Sequence, residues 1–559
     1  MNTIRDSPLV LIHTTSGRLY NKLERASAFE SMPAFTELVS SMTTHIHHAH
    51  IEDVVGEYYR YAMFSHKWED NEPLFEKVTK VVVYDLEEFP THEKLKMFCK
   101  IVREAGFNWA WSDTCCINKG DHFVLQESLV SMFRWYQGSS MTVIFLRGVH
   151  PLARRGSLTK SIWNTRAWTL QEYHASKVVQ FYTEDWTPYL NLDIYNHKES
   201  PEIISEMEEA TDISAAALMT LQPGLDYVRE KLRLASTRQT TRVEDAAYSL
   251  LGIFSLSLPI VYGDGDRALG KFLALLLASS GDTSILAWTG RSGSFNSCLP
   301  ADIAVFDRSP ASHIPSAIID AEMVTTTAAL RASSLNLILV TRLYDRLGEL
   351  PVPLFAGHRI KIPCLTFKLG RVSTTQNGSE YVFRAQTAAL GVVEIRTEEN
   401  LSQLESLSLI HPWIDFLLAR HPVGSRTETI PEGSTADPLS PVGELPTDPD
   451  PFDITSTALQ TRAAWLVSRF GRRLTTSTGD APSLRPPSTV APMEKQKRVL
   501  QFVARLRRPF GALLLTPTRQ RMDEYRRVAA QSLITVQVEE ITPMVLDKLI
   551  SGARTLDVL

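Results

Sequence analysis

Cysteine is scarce in this chain: five residues in 559, at positions 99, 115, 116, 298 and 364. So few, and an odd number, exclude a disulfide-built scaffold. Cys115 and Cys116 are adjacent, and neighbouring strand side chains point to opposite faces, so they are poorly placed to bond to each other. The expectation is a reduced, intracellular protein, with the cytoplasm as its location. Long apolar runs are also missing. The best, "FLALLLA" at 272–278, falls well short of the roughly 18 to 20 residues of a membrane helix. The first residues, "MNTIRDSPLVLIHTT", lack the long apolar segment and small-residue site of a signal peptide. A net charge of −5 gives no electrostatic case for nucleic acid as the main partner. There is no P-loop ending in Gly-Lys-Ser/Thr, no protein-kinase motif and no internal repeat. Those absences argue against an ATP-driven switch within this chain.

What is present is ordinary globular composition, 44% hydrophobic and 22% charged, long enough for two to four domains. Residues 58–186 alternate strand and helix signals. "YYRYAMFS" (58–65) reads as a strand, and "THEKLKMFCKIVREAG" (91–106) as a helix with Leu95, Phe98 and Val102 on one face. "NWAWSDTCCI" follows as a strand carrying Trp109, Trp111, Asp113 and Cys115 on one side. "FVLQESLVSMFRWYQG" (123–138) is a helix with Leu125, Leu129, Met132 and Tyr136 in a stripe. "MTVIFLRGV" (141–149) is apolar throughout, as a strand buried on both faces would be. A helix over 161–176 and a strand over 177–183 complete the run. This order implies an α/β parallel sheet with flanking helices, because parallel strands need crossovers. Sites in such sheets form outside the carboxyl ends of the strands, where Ser65, His66, Trp68 and Asp113 fall.

Further on, residues 200–290 have helical character, with Thr241 and Glu244 spaced as a capping box and "YGDGD" (262–266) as a turn. "NLILVTRL", "HRIKIPCLTFKL" and "EYVFRAQTA" read as short strands of a smaller β-rich domain. A stretch rich in Pro, Ser, Thr, Gly and acids follows, interrupted by an apolar island at 457–471. The tail has helical stretches and a basic segment, "KQKRVLQFVARLRR" (495–508). That segment reads as a solvated helix or partner surface, or as a helix lying on an anionic membrane. The expected divisions are an N-terminal segment (1–54), an α/β domain (55–190) and its helical extension (191–290). A β-rich domain (291–420), a mostly disordered linker (421–493) and a helical tail (494–559) follow.

Three blocks, "YAMFSHKW" (61–68), "WAWSDTCCINKGDHFVLQESLVSMFRWYQGS" (109–139) and "WNTRAWTLQEYHASKVVQFYTEDW" (163–186), resemble the fungal heterokaryon incompatibility (HET) domain. A fourth, from "ASTRQTTRVEDAAYSLLGIF" to "SILAW" (235–288), is similar to the extension that follows this domain in many fungal incompatibility proteins. The resemblance covers roughly residues 55–290. One departure is "NK" after "CCI", where the family often has Gln or Asp-Lys. The HET domain is in turn distantly similar to TIR domains, which have a flavodoxin-like sheet and act in immunity and cell death. Some TIR domains hydrolyse NAD through a glutamate in a W-C-x-x-E helix. The resemblance therefore implies a TIR/flavodoxin-like fold and an effector of non-self recognition that triggers programmed cell death. It also implies NAD as substrate rather than a required cofactor, an incompatibility partner protein, and self-association on activation. The local match, "AWTLQE" (167–172), places Glu172 in the catalytic role.

Each candidate also has a plainer reading. Glu172 is a catalytic carboxylate, or a helix carboxylate paired to Arg166 or exposed. Trp168, one helical turn before it, stacks on a ligand ring or packs in the core. Arg166 holds a phosphate or carboxylate, or forms an ion pair with Asp113 or Glu172. Ser65, His66 and Trp68 bind phosphate, ribose or base, or simply close the strand end. Asp113 needs a partner such as Arg166, His66 or a ligand hydroxyl, because a buried carboxylate is costly alone. Cys115 and Cys116 are expected to be buried and inert, since zinc spacing is absent; His122 leaves a Cys–His pair open. "THIHHAH" (44–50) reads as a polar loop, and no metal site is expected.

Overall fold

A computed structural model describes residues 5–41, 48–307, 333–412 and 492–559, apart from positions 212, 216–217, 219–221, 352, 371, 388, 402–406 and 519–523. The linker, its apolar island and part of the histidine-rich loop lie outside the described residues.

The first sheet has six strands: β1 (Val10–His13), β2 (Leu19–Asn21), β3 (Tyr61–His66), β4 (Trp109–Trp111), β5 (Met141–Phe145) and β6 (Val179–Tyr182). Their spatial order is β2-β1-β4-β3-β5-β6. β4, β3, β5 and β6 run parallel, and every residue of β3, β4 and β5 is buried, which explains their unbroken apolar character. β1 joins β4 antiparallel and β2 joins β1, so the sheet reaches into the segment expected to precede the domain. At the carboxyl edge His66 is level with Phe145, and Phe145 with Tyr182.

Helices α1 (Lys22–Glu30), α2 (Pro33–Ser41) and α3 (His48–Tyr59) precede β3. α1 starts with a capping box of Asn21 and Glu24. α4 (Pro90–Glu104) leads into β4 and buries Leu95, Phe98 and Val102 as their spacing predicts. α5 (His122–Gly138) is N-capped by Asp121, whose carboxylate accepts from the amides of Phe123 and Val124. The helix expected over 161–176 is a 3-10 turn (Trp163–Thr165) followed by α6 (Ala167–Ala175). Arg166, in extended conformation, separates the two because its carbonyl is taken by Thr169 and Arg238 side chains. The Trp109 strand ends at Trp111, so Asp113, Cys115 and Cys116 lie in the turn beyond it.

The extension holds α7 (Pro201–Thr211), α8 (Val228–Ser236) and α9 (Arg267–Ser280). The capping box expected at Thr241 does not form. Glu244 instead accepts from the amides of Gly263 (2.7 Å) and Gly265 (3.1 Å), pinning the "YGDGD" turn, where both glycines have positive φ.

"NLILVTRL" is a helix, not a strand. It lies in α10 (Ser334–Gly348), capped by Ser333, with Val340, Leu343 and Leu347 buried at helical spacing. The remaining strands are β7 (Leu354–Ala356), β8 (Arg359–Lys368), β9 (Val372–Asn377), β10 (Glu380–Thr387), β11 (Gly391–Thr397) and β12 (Ser408–Pro412). The tail is not simply helical. α11 (Pro492–Leu506) and α12 (Pro543–Gly552) alternate with β13 (Phe510–Pro517), β14 (Glu524–Val528), β15 (Ile534–Val536) and β16 (Ala553–Val558). β8, β16, β14, β13 and β12 pair in turn and β12 pairs back to β8, which closes these five strands into a ring, with β7 added on β8 and β15 on β13. The basic segment lies in α11, whose Val499, Phe502, Val503 and Leu506 are buried in this second core. Its apolar face is thus spent on packing, which removes the membrane-surface alternative. Among the described residues no helix is long and apolar enough to cross a membrane.

Arg527 of β14 ties this region to the extension. It is buried, donates to the carbonyls of Leu286 (2.8 Å) and Trp288 (2.7 Å), and lies 3.7 Å from the centre of the Trp288 ring.

Candidate functional site

β3 delivers Ser65 and His66 to the carboxyl edge, the turn after β4 delivers Asp113, and α6 lays Glu172 against β3. Glu172 is only 6% exposed. Its carboxylate accepts a short hydrogen bond from Ser65 Oγ, and Ser65 accepts from Trp163 Nε1 at 2.7 Å. Burial, followed by the nearby charge of Asp113, raises the Glu172 carboxyl to about 7. The Ser65 bond and the charges of Arg166 and Arg238 oppose that rise without cancelling it. Half-ionised near neutrality, Glu172 is neither solvated nor held by a salt bridge.

Arg166 is not the ion-pair partner of Asp113 or Glu172. Its Nη1 donates to the His66 carbonyl at 2.6 Å, pinning the end of β3. Neither Arg166 nor His66 hydrogen-bonds to Asp113. It accepts instead from Trp68 Nε1 at 2.7 Å, which joins the loop after β3 to the turn after β4. His66 stacks on Phe64 with centroids 4.2 Å apart, and burial pushes its pKa down. Its Nε2 lies 3.6 Å from Glu72, too far for a hydrogen bond, and neither ring nitrogen has a partner. Burial alone would raise Glu72, yet neighbours hold it at about 2. His66 lowers it most, and then Lys94, which reaches Glu72 in a short contact and Glu69 at 3.2 Å. Trp168 turns away from this cluster. It lies beside Asp245 of the extension, whose carboxyl it helps draw down against burial.

Cys115 and Cys116 are buried free thiols. Cys115 is pushed well above the usual thiol range, first by its hydrogen bond with Cys116 and then by burial, which removes the thiolate a nucleophile needs. His122 is exposed at the start of α5, so no Cys–His pair forms. Among the described residues no cluster could hold a metal ion.

Sequence reasoning missed Trp163, Lys119 and Arg238. Trp163 stands within the block that carried the resemblance, but a continuous helix would have aimed it elsewhere. Lys119 is the lysine of the "NK" departure, and its ammonium sits 3.5 Å from the centre of the Trp68 ring. Arg238, buried, donates to Thr169 Oγ1 (2.8 Å) and to the carbonyl of Arg166 (2.9 Å), locking the start of α6.

Residues 61–155 match the family model described as "Heterokaryon incompatibility protein (HET)". Vegetative incompatibility protein HET-E-1 of Podospora anserina is 32% identical over 226 residues. That match takes in 38% of this chain and 16% of the HET-E-1 sequence. No solved structure matches the chain. The matched span runs from the first residue of β3 past the end of β5 and so contains Ser65, His66, Trp68 and Asp113. Residues 61–155 of the chain are therefore similar to the HET domain.

Proposed function

We propose that this chain is an effector of fungal heterokaryon incompatibility that acts in the cytoplasm, and that its HET domain cleaves NAD with Glu172 as the catalytic carboxylate. One observation carries the reading: a buried carboxylate, hydrogen-bonded to Ser65 but in no salt bridge, with a pKa of about 7 at the carboxyl edge of a parallel sheet. The parallel strands, numbered in chain order, stand 2-1-3-4, which agrees with a TIR-like, flavodoxin-like sheet. Ligands of such sheets lie where the strand order reverses, here beside the ends of β3 and β5.

The chemistry asks little of the protein. The bond from ribose C1′ to the nicotinamide nitrogen breaks, and its electron pair neutralises the cationic ring, so no strong acid is needed. Positive charge then develops on the ribose, and an ionised carboxylate stabilises it. Water adds its oxygen at C1′ and gives up a proton, leaving ADP-ribose and nicotinamide. Ser65 would hold the Glu172 carboxylate in place through this step, with Trp163 fixing Ser65. Activation by an incompatibility partner, with self-association, would open the crevice to substrate and lead to cell death.

A second reading has its own support. Glu172 is nearly buried and committed to Ser65, as it would be in a signalling module that works by self-association alone. Inducible expression of the full chain in a fungal host, with NAD and growth followed together, separates the two. The NAD reading expects NAD to fall before growth stops, and neither to change with Glu172→Gln. Growth arrest at constant NAD would support the self-association reading instead.

A further inference from the structure

We propose that Lys119 is the anion-recognition residue of this carboxyl-edge cluster, and that it takes the phosphate groups of a nucleotide. The proposal rests on the nucleotide reading of the site but not on its cleavage.

Lys119 Nζ is buried and has no hydrogen-bond acceptor in the protein. Ammonium groups withdrawn from water are normally paired, because an unpaired buried charge is strongly unfavourable. The carboxylates that act on it, Asp113, Glu72 and Glu76, do so from a distance, and none forms a salt bridge with it. Two are otherwise engaged: Asp113 holds Trp68 Nε1, and Glu72 holds Lys94. What faces the ammonium is the π-surface of Trp68, a weaker partner than an anion.

The position is also built rather than incidental. Lys119 lies in a tight turn in which Asn118 Oδ1 accepts from the Gly120 amide at 3.1 Å, and Asp121 caps α5 directly afterwards. Trp68 is fixed from its other side by Asp113. His66, the last residue of β3, adds a buried imidazole whose two nitrogens have no hydrogen-bond partner. Unsatisfied donor groups at the carboxyl edge of a parallel sheet are the complement of a phosphoanhydride. When phosphate draws the ammonium off Trp68, the freed indole face can stack on a base or nicotinamide ring. One lysine thereby couples phosphate recognition to ring recognition.

The test is calorimetric titration of the purified full chain with ADP-ribose, with adenosine and inorganic pyrophosphate as separate probes. ADP-ribose should bind, pyrophosphate should compete with it, and adenosine should bind at least 10-fold more weakly. Lys119→Met keeps the apolar stem on Trp68 and removes the charge; it should weaken ADP-ribose at least 10-fold and leave adenosine unchanged. Lys119→Arg should stay within about 3-fold of the wild type, since it keeps a charged donor. Wild-type affinity in Lys119→Met, or no competition by pyrophosphate, overturns the assignment. Should Lys119→Met not fold, Lys119→Gln and the wild-type competition decide in the same way. Lys119-dependent binding of ADP-ribose by a wild type that does not cleave NAD removes the cleavage reading alone. Cleavage with an unchanged KM in Lys119→Met removes this one alone.

Discussion

Glutamine at position 172 should make the folded protein more tolerant of alkaline pH than the wild type. The folded Glu172 carboxyl titrates near 7 and an unfolded one near 4.5. The raised folded pKa means that its contribution to stability is fully present below about pH 4.5 and is lost as pH rises through about 7. The gap is worth about 3 kcal/mol. Other titrating groups are shared by both proteins and cancel in the comparison. Urea unfolding at pH 5 and pH 8 should therefore show the wild type losing about 2.5 kcal/mol more than Glu172→Gln between the two, since a little is already lost at pH 5. Parallel losses would show that Glu172 is not held in a hostile environment. A side chain needed only to bond Ser65 would be better as glutamine, so a glutamate kept at this cost points to chemistry.

Arg527→Met should cost about 3–5 kcal/mol, because it leaves buried carbonyls without a donor and removes a cation from the face of Trp288. The guanidinium, whose pKa burial lowers to about 10, holds both Leu286 and Trp288 carbonyls. The same strap is held by Ser297, whose amide donates to the Leu559 carbonyl at 2.9 Å, and by Asn296, which reaches Val558 at 3.0 Å. Arg527→Lys should recover part of the loss, since an ammonium cannot span both carbonyls. Urea unfolding of the three proteins measures this, and a loss below about 1 kcal/mol for Arg527→Met would show that the strap does not depend on Arg527. A fragment cut at residue 290 lacks Arg527 altogether, so the full chain is the proper material for testing the site.

Period and burial made part of the molecule legible beforehand. Leu95, Phe98 and Val102 read as a helix face, and "MTVIF" as a doubly buried strand, because each pattern has one physical reading. "NLILVTRL" was ambiguous, since a short apolar run fits strand and helix alike and only its cap at Ser333 decides. The tail strands were hidden because they gain their partners from β8 and β12, far away in sequence. At the site, the carboxyl-edge rule located Ser65, His66 and Asp113. It could not supply partners, so Arg166 went to a carbonyl and Trp68 to Asp113. Trp163 and Lys119 were out of reach because each depends on a turn geometry that residue spacing does not encode.

Nicotinamide release from NAD by the purified full chain, followed from pH 5 to 9, tests the central claim most directly. The account predicts release that rises through about pH 7 as Glu172 ionises, and a loss of at least 100-fold in Glu172→Gln at unchanged foldedness. Release by Glu172→Gln at the wild-type rate, or no release by a wild type that binds ADP-ribose, would contradict it.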